Sequence, residues 1–142
     1  MAITFTVPGE PVPQPRPRVS TRGGFARAYV PKTHAVHAYR DAIVKSCREA
    51  LGSYGSQYWL GEPGRPLSIV IDAVFERPRS HMRKSGVKPD APKLPRPDVD
   101  NIAKACMDAL QDIIGDDTCV ARLVVEKSYG TEARTTVRIS DG

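Results

Sequence analysis

The chain has 142 residues, 40% hydrophobic and 26% charged, with formal net charge +5 and a sequence pI of about 9.3. That length suits one domain around a single core, and the balance excludes a disordered or fibrous chain. No run approaches about 18 apolar residues, which excludes a membrane-spanning helix, and the opening MAITFTVPGEPVPQ gives no expectation of a signal peptide.

ITFTVPG alternates Ile3, Phe5 and Val7 and predicts a strand ended by Pro8-Gly9. The proline-rich segment that follows resists helix and predicts a loop. KTHAVHAYRDAIVKSCREALG predicts the first helix, with Thr33 as N-cap and Gly52 as stop. Its apolar stripe runs through Val36, Ala42, Ile43, Cys47 and Ala50 or Leu51. PLSIVIDAVFERP is the strongest strand signal, with Leu67, Ile69 and Ile71 on one face and Pro78 closing it. A second loop runs to Pro97.

RPDVDNIAKACMDALQDIIGDD predicts the second helix. Ile102, Ala105, Cys106, Ala109, Leu110 and Ile113 share one face, Asp100, Lys104 and Asp108 the opposite side, and Gly115 ends it. CVARLVVEKSYG and ARTTVRISD predict two strands joined as a hairpin. The order β-α-β-α-β-β implies one α+β domain over residues 1–142, a small mixed sheet with helices against one face.

The positive charge is unevenly placed. Residues 11–32 hold Arg16, Arg18, Arg22, Arg27 and Lys32 with no acid; residues 77–96 hold Arg77, Arg79, Arg83, Lys84, Lys88, Lys93 and Arg96 against Asp90 alone. Both runs are rich in Pro, Gly and Ser and predict basic loops suited to a polyanion. The three cysteines, Cys47, Cys106 and Cys119, are odd in number and far apart, which fits buried thiols in a reducing cytoplasm.

Against this background the second helix concentrates acid at its ends: Asp98 and Asp100 before it, Asp116 and Asp117 after it. One aspartate at a helix start is an ordinary cap, and Asp-Asp after glycine is an ordinary turn. Two aspartates flanking a single valine repel unless a cation lies between them. Hard cations such as Mg²⁺ take carboxylate oxygens, and basic surroundings would bring a phosphodiester to them. Lys104, one turn past Asp100, suits stabilisation of developing negative charge, or a plain surface ion pair with Asp100.

QPRPR, ARAYVPKTHAVHAYRDAI, RPDVDNIAKACMDAL and GDDTCVARLVVEKSYG together resemble the RusA family of Holliday junction resolvases, common in bacteria and their prophages. The resemblance implies a Mg²⁺-dependent endonuclease, with Mn²⁺ as a possible substitute, acting on branched DNA as a homodimer in recombination and repair. It further implies Asp98, Asp100 and Asp117 as metal-binding catalytic residues and Lys104 as a functional lysine. Asp116 is the alternative to Asp117 as the third ligand. The expected DNA contacts are Arg16, Arg18, Arg22, Lys32, Lys84, Lys88, Lys93 and Arg96, with no membrane and no small-molecule substrate.

About 13 residues of helix separate Asp100 from Ile113, or about 20 Å. One chain therefore cannot bring Asp117 to the metal of Asp98 and Asp100 unless the helix breaks, whereas an antiparallel two-fold partner can. Two rival functions remain: a non-catalytic junction-binding module, and a general metal-dependent nuclease acting on flaps or linear duplex. His34 and His37 lack a third ligand and are expected to pack. Tyr129 and Trp59 are expected to pack rather than to stack on bases, and RGG at Arg22 to Gly24 to form a turn.

Overall fold

A computed structural model describes residues 2–15, 17–52, 64–78, 82–83, 86–87, 96–115 and 117–141. In chain order the elements are β1 (Ala2–Pro8), β2 (Arg18–Ser20), β3 (Arg27–Tyr29), α1 (Ala35–Gly52), β4 (Leu67–Glu76), β5 (Met82–Arg83), β6 (Gly86–Val87), α2 (Val99–Ile114), β7 (Val120–Gly130) and β8 (Arg134–Asp141). The six main elements follow the expected order. Two short ribbons are added: β2 pairs with β3, and β5 with β6, each antiparallel. The segments read as basic loops thus contain paired strands, because Gly23 and Gly24 both adopt positive φ (79° and 80°) and let the first ribbon turn.

The main sheet runs β1-β8-β4-β7. β4 lies antiparallel to β8 and parallel to β7, and β1 is antiparallel to β8. This corrects the hairpin expected of the last two strands: β7 and β8 are consecutive but flank β4 on opposite sides. The reason is burial. Leu67, Ile69, Ile71, Ala73 and Phe75 of β4 are all buried, as are Ser68 and Val74 from its other face. The longest continuous apolar run thus takes the interior of the sheet, with neighbours on both sides. β7, with Leu123 42% exposed, takes the edge.

Both helices cover one face, α1 over β1 and α2 over β7, and they pack on each other. Ile3, Phe5, Val7, Val137 and Ile139 complete the sheet's contribution to the core. α1 buries Val36, Tyr39, Ile43, Cys47 and Leu51 at helical spacing. Its start is capped by His34 rather than Thr33: the Val36 N–H donates to His34 Nδ1 at 3.0 Å. α2 buries the expected stripe except that Ile114 replaces Ile113, which is half-buried. Gly115 ends α2 at φ 78°, its N–H donating to the Gln111 carbonyl at 2.9 Å.

Tyr39 spans the core polar contacts, its hydroxyl bonding that of fully buried Thr135 and lying 3.9 Å from Cys106 Sγ. At the end of β7 the backbone passes close to β4. A Cβ on Gly130 would lie 2.6 Å from Val74 Cγ1, so only glycine fits there without displacement. No described helix is long and apolar enough to cross a membrane.

Candidate metal and nucleic-acid site

α2 forms because its apolar residues repeat at helical spacing, and that helix decides where the acids stand. Asp98 occupies the N-cap position, yet its side chain makes no capping hydrogen bond. Its main-chain carbonyl accepts the first intrahelical bond, from the Ile102 N–H at 3.2 Å. Asp100 follows in the first turn; both aspartates are exposed. Neither carboxylate is engaged in an ion pair or hydrogen bond with a described residue, so both retain their oxygens for a cation. Carboxylates supply hard oxygen donors, which suit a divalent ion that keeps part of its water.

Lys104 is exposed one turn further along and makes no ion pair with Asp100. Its ammonium is therefore not consumed by the simple surface pairing. Asp108 departs from the expected solvent face. It is half-buried and accepts from Arg40 at 3.2 Å, stitching α1 to α2.

The acids at the other end of the helix are far away. α2 is unbroken for 16 residues, about 24 Å at its usual rise. Asp117 begins the 3-10 turn Asp117–Cys119 beyond it. Only its backbone is described, and Asp116 lies outside the described residues. A single chain thus gathers Asp98 and Asp100 but sets Asp117 at the opposite end, and no cluster of three metal-ligating side chains exists among the described residues.

The surroundings of the first turn are assembled from three other places. Lys127 of β7 donates from Nζ to the Pro97 carbonyl at 3.1 Å, directly ahead of Asp98. The Gln14 N–H donates to the Asn101 carbonyl at 2.9 Å, and Arg40 bonds the Gln14 side-chain oxygen. The root of the first basic segment is thereby fixed against the helix start. Arg96, exposed, leads into Pro97 through a cis peptide bond.

From that root the β2–β3 ribbon projects. Arg22 and Arg27 are exposed on it, and so are Val19, Phe25 and Tyr29 at 68%, 70% and 45%. Lys32 is exposed just before α1. Arg18 lies in β2 with its side chain undescribed; Arg16, Lys84, Lys88 and Lys93 fall outside the described residues, as does Trp59. His37 holds the segment's far end, its Nε2 donating to the Pro31 carbonyl at 2.9 Å. Tyr129 is half-buried with the Arg77 guanidinium 5.7 Å from its ring centre.

Sequence reasoning missed Lys127, Gln14, Arg40 and the exposed Phe25. Lys127 left a trace: it is a charge at a core-facing position, in register with buried Ala73. Gln14 and Arg40 left none, because their link joins segments 26 residues apart.

Comparison with known proteins shows the family of the chain. The family model described as Endodeoxyribonuclease RusA matches residues 8–140. The chain is also 34% identical over 152 aligned positions to "Uncharacterized protein YqaN" of Bacillus subtilis (strain 168), with 98% of this chain and 96% of that one covered.

Proposed function

Since the chain belongs to the RusA family of endodeoxyribonucleases, we propose that it resolves Holliday junctions by divalent-metal-dependent phosphodiester hydrolysis, in recombination and repair. The observation that carries this reading is the pair Asp98 and Asp100, neither spent on capping nor on an ion pair with a described residue, beside the root of a basic ribbon. Mg²⁺ is the expected ion, with Mn²⁺ as substitute. When bound, it supplies Lewis-acid polarisation of the phosphate and a lowered pKa for attacking water.

The chain's own residues do the rest. Asp98 and Asp100 hold the ion from one copy, and Asp117 completes the set from a second copy, because about 24 Å of helix separates the ends within one chain. Lys104 offsets the negative charge that develops on the phosphoryl oxygens. Arg22, Lys32 and Arg96 contact phosphates, as do Arg16, Arg18, Lys84, Lys88 and Lys93. Such contacts read backbone shape rather than sequence. Two sites related by a two-fold axis fit the paired cuts that a four-way junction needs.

A tandem single-chain dimer tests both parts. With Asp98→Asn in one half and Asp117→Asn in the other, shared sites collect both lesions in one site and leave the second whole. Junction nicking on one strand is expected; loss of all cutting while the parent tandem remains active would sink the shared site.

A further inference from the structure

Every residue from Thr21 to Tyr29 is exposed, and no acid lies between residues 11 and 32. Val12 before the β2–β3 ribbon and Val30 after it pack against the core, whereas Val19, Phe25 and Tyr29 do not. Folding therefore leaves three large apolar side chains on one small ribbon, at 68%, 70% and 45% exposure. Such a group marks a contact surface.

The ribbon's geometry sets Phe25 foremost. Ser20 pairs with Arg27, so residues 21–26 form the turn. Gly23 and Gly24, both at positive φ, reverse the chain there, and Phe25 resumes extended backbone at φ −121° and ψ 138°. Five residues separate Phe25 from Val30, at most about 17 Å of extended chain. That reach exceeds the depth of a DNA groove, about 8 Å, and the major groove admits a two-stranded ribbon.

Charge decides what the ring meets. Arg22 and Arg27 stand on either side of Phe25 in sequence, and neither side chain makes a hydrogen bond or ion pair with a described residue. A ring between two available guanidinium groups, with no carboxylate in the segment, matches a base between phosphates. Within continuous duplex each base is stacked on both sides, and opening a step costs more than one ring–base stack returns. At a four-way branch point stacking is already interrupted, so a base face is open to the ring without that cost.

We infer that the β2–β3 ribbon is a branch-point wedge. Phe25 stacks on a base at the crossover, Arg22 and Arg27 hold the flanking phosphates, and Phe25 thereby sets the preference for branched over linear DNA. The inference rests on the proposed action on junctions for its target and adds the group that recognises the branch.

Photo-cross-linking of the full-length protein tests it, in chelator, on junctions carrying 5-iodouracil either at the branch point or midway along an arm. Wild type should cross-link at the branch through the tryptic peptide Gly23–Arg27, and not in the arm. Fluorescence anisotropy supplies a second measurement. Phe25→Ala should weaken junction affinity about 5- to 150-fold and duplex affinity by less than about twofold, while Phe25→Trp should keep the wild-type preference. Equal cross-linking in arm and branch, cross-links confined to other peptides, or full junction preference in Phe25→Ala would overturn the wedge. Failure of the nuclease reading looks different: the Gly23–Arg27 cross-link forms on a junction that is never cut. Junction-selective cutting by Phe25→Ala at the wild-type rate would refute the wedge alone.

Discussion

Lys127 Nζ reaches the Pro97 carbonyl at 3.1 Å, so the far end of the edge strand grips the backbone immediately before Asp98. Lys127 sits on the helix-facing side of β7, where its neighbour in register is buried Ala73. A cation placed there bridges sheet and helix start and fixes the direction from which the Asp98 carboxylate leaves the chain.

With Asp98 holding the ion as proposed, Lys127→Ala should lower junction cutting by about 10- to 100-fold, the usual cost of losing support behind a metal ligand. Junction affinity measured in chelator should stay near wild type, and the Mg²⁺ concentration for half-maximal cutting should rise. Lys127→Arg, which keeps a donor, should recover much of the loss. Equal losses in binding and cutting would place Lys127 among the DNA contacts instead.

The β2–β3 ribbon carries two kinds of contact that salt separates. Arg22→Ala should reduce the slope of log affinity against log salt by about 0.9, one phosphate contact. Phe25, 70% exposed between two exposed arginines, offers a ring for an unstacked base. Phe25→Ala should weaken junction binding by about 1–3 kcal/mol with the slope unchanged. Fluorescence anisotropy across a salt series reads both.

Burial pushes the Cys47 thiol up to about 12 and the Cys106 thiol up to about 11, from an ordinary 9.0. Both should resist alkylation at pH 8 in the folded protein, while half-buried Cys119 reacts first. Between those pH values the unfolded chain sheds thiol protons that the folded chain retains. Stability should fall as pH rises through that window, and replacing Cys47 with Ala should flatten the fall in urea titrations.

Tyr39 and Thr135 share a hydrogen bond inside the core, where Thr135 is 0% exposed. Tyr39→Phe should cost about 1–3 kcal/mol by stranding the threonine hydroxyl. Adding Thr135→Val should return part of that loss, which denaturant unfolding of both variants would measure.

Most of the fold was readable because α2 and β4 announce themselves. Ile102 to Leu110 repeat at helical spacing, and Leu67 to Phe75 form an apolar run. What failed was long-range: β7 and β8 read as a hairpin from their short connection, yet β4 separates them. Pairing of distant strands depends on which strand is drawn into the interior of the sheet, and no local pattern of β7 or β8 encodes that. Thr33 looked like the cap because its residue type is the commoner one; the His34 ring took the role by reaching the Val36 N–H. The placement of Asp98 and Asp100 at the start of α2 was legible from spacing, while Gln14 and Arg40 are linked to that helix only by the folded chain.

The most direct measurement sets a synthetic four-way junction beside a linear duplex of the same sequence, each with Mg²⁺ and with chelator, using wild type and Asp98→Asn. Symmetric nicks on the junction alone, dependent on Mg²⁺ and absent in Asp98→Asn, are predicted. Tight junction binding without cutting would make this a binding module whose aspartates serve the helix start. Cutting of both substrates would make it a general nuclease.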